Sequence, residues 1–139
     1  MSETAVIYWS GTGNTEAMAK AIEAGLNAGG DKAVLIPVGK ASPSDVGKYG
    51  KFAFGCPSMG SEVLEESEFE PFFSSIENKL QGKKVALFGS YGWGDGQWMR
   101  DWQDRVGADG ALLFEEGLTV QDAPDADDCA GFGKRFAKF

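Results

Sequence analysis

The sequence predicts a doubly wound α/β fold, one parallel sheet with helices on both faces. Two observations carry this expectation. Short apolar, β-rich runs alternate with helical patterns about five times along the chain. Those apolar runs lack an in-out alternation, as expected of strands covered on both sides. Such sheets take right-handed crossovers and bind ligands beyond the carboxyl ends of their strands.

The first run, Thr4-Ala5-Val6-Ile7-Tyr8-Trp9, reads as a buried strand. A loop, Ser10-Gly11-Thr12-Gly13-Asn14-Thr15, leads from it into a helix from about Asn14 to Asn27, whose stripe is Met18, Ala21, Ile22, Gly25 and Leu26. Gly29-Gly30 ends that helix, and Ala33 to Ile36 forms a second strand stopped by Pro37. The segment from Val38 to Gly50 is weakly patterned, with at most one helical turn near Ser42-Pro43-Ser44-Asp45. Lys51 to Cys56 is the third strand, followed by the loop Pro57-Ser58-Met59-Gly60-Ser61-Glu62.

Ser67-Glu68-Phe69-Glu70 has the form of a capping box, opening a helix whose core face is Phe69, Phe72, Phe73, Ile76 and Leu80. Val85 to Phe88 is the fourth strand, and it runs into Gly89-Ser90-Tyr91-Gly92-Trp93-Gly94-Asp95-Gly96. The next helix reaches about Val106, with Trp98, Met99, Trp102 and Val106 facing inward. Ala111 to Phe114 and Leu118 to Val120 form an interrupted fifth strand. Pro124 and Asp125 open the last helix, with Cys129, Phe132 and Phe136 inside.

The bulk composition narrows the function. The 139 residues suit a single domain spanning 1–139. Twenty-one acidic and 13 basic residues give a formal charge of −8, which argues against a nucleic-acid surface and for basic protein partners. There is no His, and the two cysteines, Cys56 and Cys129, form no CxxC, so no metal site is expected. No apolar run approaches the ~20 residues of a membrane span. Met1-Ser2-Glu3-Thr4 lacks a basic leader. The expectation is a cytoplasmic protein that does not engage a membrane.

The chemistry lies in the loops after the first, third and fourth strands, which all emerge at one end of the sheet. The first offers three hydroxyls, an Asn amide and two glycines at a helix N-terminus, which is an anion site. No Gly-Lys-Ser/Thr makes it a Walker loop, and Glu16 stands where a dinucleotide fingerprint has its third glycine. It holds no Lys or Arg, which suits a phosphate monoester that stays bound. In the other two loops, an apolar Met59 and an aromatic Trp93 can sandwich a flat ring, and Glu62 can accept from a ring N–H. A phosphate, a flat heterocycle and an N–H to recognise describe flavin mononucleotide (FMN).

These three motifs also carry a family resemblance. Tyr8-Trp9-Ser10-Gly11-Thr12-Gly13-Asn14-Thr15, Met59-Gly60-Ser61-Glu62 and Gly89-Ser90-Tyr91-Gly92-Trp93-Gly94-Asp95-Gly96 occur in the order seen in flavodoxins of the short-chain, clostridial kind. The resemblance covers essentially the whole chain. It implies a five-stranded sheet in order 2-1-3-4-5 and a tight, non-covalent FMN. It also implies low-potential one-electron transfer between redox enzymes in place of ferredoxin, with no catalysis of its own. Ser10, Thr12, Asn14 and Thr15 would hold the phosphate, with Gly11 and Gly13 shaping the loop. Met59 and Trp93 would flank the ring, Glu62 would accept from N3–H, and amides near Gly92 and Trp93 would face the pyrimidine edge. Pro57, Ser58, Gly60, Ser61, Gly89, Ser90, Tyr91, Gly94 and Asp122 complete the expected site. Gly60 tolerates positive φ, so the Gly60-Ser61 peptide can reorient cheaply. Pro57 departs from the Ser found in relatives, and Ser61 from the common Asp. Partners would be reductases and ferredoxin-dependent enzymes with basic docking faces, met by a monomer through the acidic stretches Glu62 to Glu70 and Asp122 to Asp128.

Two other readings fit the same fold less well. An FMN-dependent reductase would need a substrate pocket, and no insertion is long enough to build one. A receiver-type signalling module would need Asp where Cys56 ends the third strand.

Overall fold

The structure is a computed structural model describing residues 3–139. Met1 and Ser2, part of the stretch read as lacking a leader, lie outside the described residues. The elements follow in order: β1 (Glu3–Tyr8), α1 (Asn14–Ala28), β2 (Lys32–Pro37), β3 (Lys51–Gly55), α2 (Phe69–Ile76), β4 (Lys84–Tyr91), α3 (Gln97–Ala108), β5 (Leu112–Leu113), β6 (Leu118–Gln121) and α4 (Ala126–Ala137).

All strand pairings are parallel, and the sheet order is β2-β1-β3-β4-β5, the expected 2-1-3-4-5. The interrupted fifth strand is two short pieces on one edge. β5 pairs with Lys84–Val85 of β4, and β6 with Phe88–Tyr91. Between them, Phe114 turns inward to pack on the rings of Phe132, Phe136 and Phe139.

The period-2 geometry of the strands sends side chains to two cores. Ala5, Ile7, Phe52, Phe54, Val85 and Leu87 join Phe69, Phe73, Trp98 and Trp102 of α2 and α3. Val6, Tyr8, Ala53, Ala86 and Phe88 join Met18, Ile22, Cys129, Phe132 and Phe136 of α1 and α4. On that second face α1 and α4 touch backbone to backbone. A Cβ on Gly25 would stand 2.0 Å from the Ala130 carbonyl oxygen, so glycine is required for this contact.

Two local expectations are corrected. Ser67 does not cap α2: the helix begins at Phe69, with Glu68 as its N-cap. The Glu65 carboxylate does the capping instead. It accepts from the amides of Ser67, Glu68 and Phe69, each at 2.8 Å, and from the Ser67 hydroxyl. The Glu70 amide is taken by the Glu65 carbonyl at 2.8 Å, and the Glu70 carboxylate pairs with Arg105. The segment before β3 is also more ordered than its patterning suggested. It forms 3₁₀ turns at Val38–Lys40 and Pro43–Lys48, the second opened by a reciprocal Ser42–Asp45 capping box. Val46 is fully buried, and that burial supplies the ordering that propensity does not.

Candidate cofactor site

β1 ends at Tyr8, and Gly13 at φ 100° turns the chain into α1. Only a residue without Cβ adopts that conformation cheaply. The Ser10 hydroxyl oxygen accepts from the amides of Gly13 (3.1 Å) and Glu16 (3.2 Å), which holds the loop's curl. The amides of Gly11, Thr12, Asn14 and Thr15 find no acceptor among the described residues. Those of Asn14 and Thr15 are free donors of a helix N-terminus, and those of Gly11 and Thr12 precede it in the loop.

These donors open into a cleft of about 350 Å³. Of the expected residues, Ser10, Gly11, Thr12, Asn14 and Thr15 line it from the first loop. Pro57, Ser58 and Met59 line it from the second; β4 runs on past the expected Phe88 because it pairs with β6, so Ser90 and Tyr91 line the cleft from the end of that strand and Gly92 from the loop after it. Asp122 closes it after β6, with its amide donating to the Tyr91 carbonyl at 2.8 Å. The buried hydroxyls of Thr15 and Ser90 lie 3.0 Å apart, tying the first turn of α1 to the end of β4. No Lys or Arg lines this cleft.

Gly13, Gly60, Ser61, Glu62, Gly89, Trp93 and Gly94 stand outside the cleft's lining. Met59 and Val63 exchange both backbone hydrogen bonds at 2.9 Å, closing Gly60-Ser61-Glu62 into a hairpin tip. Gly60 and Glu62 there have φ of 49° and 57°. The Glu62 Oε1 accepts from the amides of Gly96 (3.1 Å) and Gln97 (2.8 Å) at the N-terminus of α3. That leaves Oε2 without a partner among the described residues. The carboxylate lies against Gly94, where a Cβ would come within 2.7 Å of Cδ. Trp93 is 62% exposed, and Met59 and Val63 are exposed too. Gly89 is buried in β4, and a Cβ there would strike the Cys56 carbonyl oxygen at 2.2 Å.

One lining residue was absent from the expected set. Trp9 walls the cleft, and its indole Nε1 donates to Glu68 at 3.1 Å. The sequence signal was an aromatic side chain at a strand's carboxyl end, directly before the anion loop. Cys56, read as packing, is fully buried. Burial pushes its thiol well above the ordinary range, and its sulfur accepts from the Glu65 amide at 3.3 Å.

The donor set suits FMN. Free amides, hydroxyls and a helix N-terminus match a phosphate dianion without a cation. Trp9, Met59 and Tyr91 supply apolar walls for a flat ring.

Comparison with known proteins agrees with this chemistry. The family model described as flavodoxin matches residues 6–133. The flavodoxin of Clostridium beijerinckii is 49% identical over 134 residues, covering 95% of this chain and 97% of that protein. The flavodoxin of Megasphaera elsdenii is 44% identical over 133 residues, covering 96% and 97%. The solution structure of two-electron reduced Megasphaera elsdenii flavodoxin matches with a TM-score of 0.91 at 45% identity, covering 98% of this chain and 99% of that one. Sheet order, loop chemistry and near-full-length similarity agree, and the chain belongs to the flavodoxin family, FMN-binding proteins that carry electrons rather than catalyse a reaction.

Proposed function

We propose that the first loop seats the FMN phosphate through the amides of Gly11, Thr12, Asn14 and Thr15, aided by the Thr12 hydroxyl and the Asn14 amide. Met59 and Trp93 flank the ring, Glu62 accepts from its N3–H, and amides near Gly92 and Trp93 face its pyrimidine edge. The single supporting observation is that the loop's unpartnered amides open into the same cleft that the second and third loops wall. FMN supplies the one-electron chemistry when bound. The protein sets its energetics. Apolar walls keep water from the ring, and the absence of Lys and Arg from the lining offers no compensation for added negative charge. Both effects lower the potential. Gly60 already occupies positive φ, so its peptide can reorient at little steric cost.

Met59, Val63 and Trp93 are exposed, Val63 lies within the acidic stretch Glu62 to Glu70, and the stretch Asp122 to Asp128 begins at the cleft-lining Asp122. This supports docking of basic redox partners such as reductases and ferredoxin-dependent enzymes. Among the described residues, no helix is long and apolar enough to cross a membrane. The chain works as a single FMN domain, a monomer, in the cytoplasm.

Titration of the apoprotein with FMN tests the reading. Flavin fluorescence should quench at a 1:1 ratio, with riboflavin binding much more weakly. Equal affinity for the two flavins would refute the phosphate assignment.

A further inference from the structure

The indole of Trp9 separates two clefts. One is the cofactor cleft. The other, about 680 Å³, lies on the far side of the first loop and is walled by Tyr8, Glu16, Val38, Lys40 and Glu68. The ring edge rests on the loop itself. A Cβ added to Gly11 would come within 2.9 Å of Trp9 Cη2 and 3.2 Å of Cζ3. With open space behind it, the indole needs something to hold it against Gly11. Its Nε1 donates to Glu68 Oε1 at 3.1 Å.

Glu68 is itself held in place. Its amide donates to Glu65 Oε1 at 2.8 Å, and Glu65 is only 5% exposed and collects three further hydrogen bonds there. The Glu68 carboxylate also lies over Gly39, where a Cβ would stand 3.3 Å from Oε2. A rigid platform at the start of α2 thus reaches across to the anion loop through a single indole.

We infer that Glu68 and Trp9 form a latch that positions the phosphate loop, making them determinants of selectivity for FMN over riboflavin. This rests on the reading of the cleft as an FMN site. Neither residue needs to touch the phosphate. The latch acts by pressing the Gly11 backbone into the curl that aims the free amides inward. A second effect opposes it. The Glu68 charge disfavours a nearby dianion.

The two effects separate by substitution, measured as dissociation constants of FMN and riboflavin with the apoprotein. Glu68→Ala loses the acceptor and the charge. Glu68→Gln loses only the charge, because its amide oxygen still accepts. Trp9→Phe keeps a ring but loses the donor. The latch predicts that Glu68→Ala weakens FMN binding by about tenfold, the scale of one hydrogen bond to a charged acceptor, with riboflavin binding unchanged. Glu68→Gln should bind FMN as tightly as the parent or more tightly. Trp9 also walls the ring, so Trp9→Phe should weaken both flavins, but it should lower the ratio of FMN to riboflavin affinity as far as Glu68→Ala does, and the double variant Trp9→Phe/Glu68→Ala should lower that ratio no further.

Unchanged or tighter FMN binding in Glu68→Ala would overturn the latch in favour of simple charge repulsion. Equal losses for both flavins would overturn it in favour of general loosening. If the unmodified protein does not prefer FMN to riboflavin, the site assignment fails rather than the latch.

Discussion

Replacing Glu65 with Ala should unfasten the start of α2. One carboxylate there accepts from three backbone amides, each at 2.8 Å, and from the Ser67 hydroxyl. Removing an N-cap side chain costs about 1–2 kcal/mol. Here Phe69 is fully buried, so its freed amide has little access to water. An unsatisfied buried donor adds about 1–3 kcal/mol. A total near 3 kcal/mol is expected. With an unfolding entropy of about 2.1 cal/mol/K per residue over 139 residues, the thermal midpoint falls by about 10 °C. The effect carries a pH signature. Burial by itself would raise the Glu65 pKa, but its hydrogen bonds from Ser67, Phe69 and Glu68 outweigh that and hold it below the ordinary carboxylate value. A carboxyl lowered in the native state contributes stability above its unfolded pKa of about 4.3, and that contribution is lost as pH falls through the native value. Thermal melts of both apoproteins should therefore diverge most at pH 7 and converge on acidification. A midpoint difference under about 3 °C at pH 7 would refute the capping role. A gap that persists undiminished in acid would refute the ionic part of it.

Asp109 should show the opposite pH dependence. Burial, together with the Glu77 carboxylate, pushes its pKa up to about 6. A carboxyl raised in the native state contributes stability below its unfolded pKa, and that contribution is lost as pH rises through about 6. Asp109→Asn should gain about 1 kcal/mol over the parent at pH 8, after allowance for partial exposure, and nothing at pH 4. Urea melts at the two pH values check it. Gly89→Ala should cost about 3 kcal/mol or more, because its Cβ meets the Cys56 carbonyl at 2.2 Å and Trp98 Cζ2 at 3.1 Å, forcing β3 and β4 apart. Denaturant unfolding at unchanged stability would show that the strands yield more readily than their geometry implies.

The residues that sequence placed well are those whose role is local. Strands and helices follow from apolar periodicity. The anion loop follows from Gly11, Gly13 and three hydroxyls between a strand and a helix, and it needs no distant partner to be recognised. The convergence of three loops follows from parallel topology, since every strand must end at the same side.

Residues whose role depends on a distant contact were only partly legible. Glu65 looked like one acid among several, yet its burial makes it the cap that Ser67 resembled in sequence. Trp9 looked like the last residue of a strand, and its hydrogen bond crosses 59 residues to Glu68. Glu62 was read as a ring acceptor, and its Oε1 also spans 34 and 35 residues to the amides that open α3. Gly89 stands in the glycine-rich stretch of the cofactor loop in sequence, while the Cys56 backbone just after β3 occupies the space its side chain would need. Periodicity and turn chemistry report what a residue does to its own segment. Which groups are left unsatisfied when segments meet, and which side chain is in reach to satisfy them, is decided only by the packed chain.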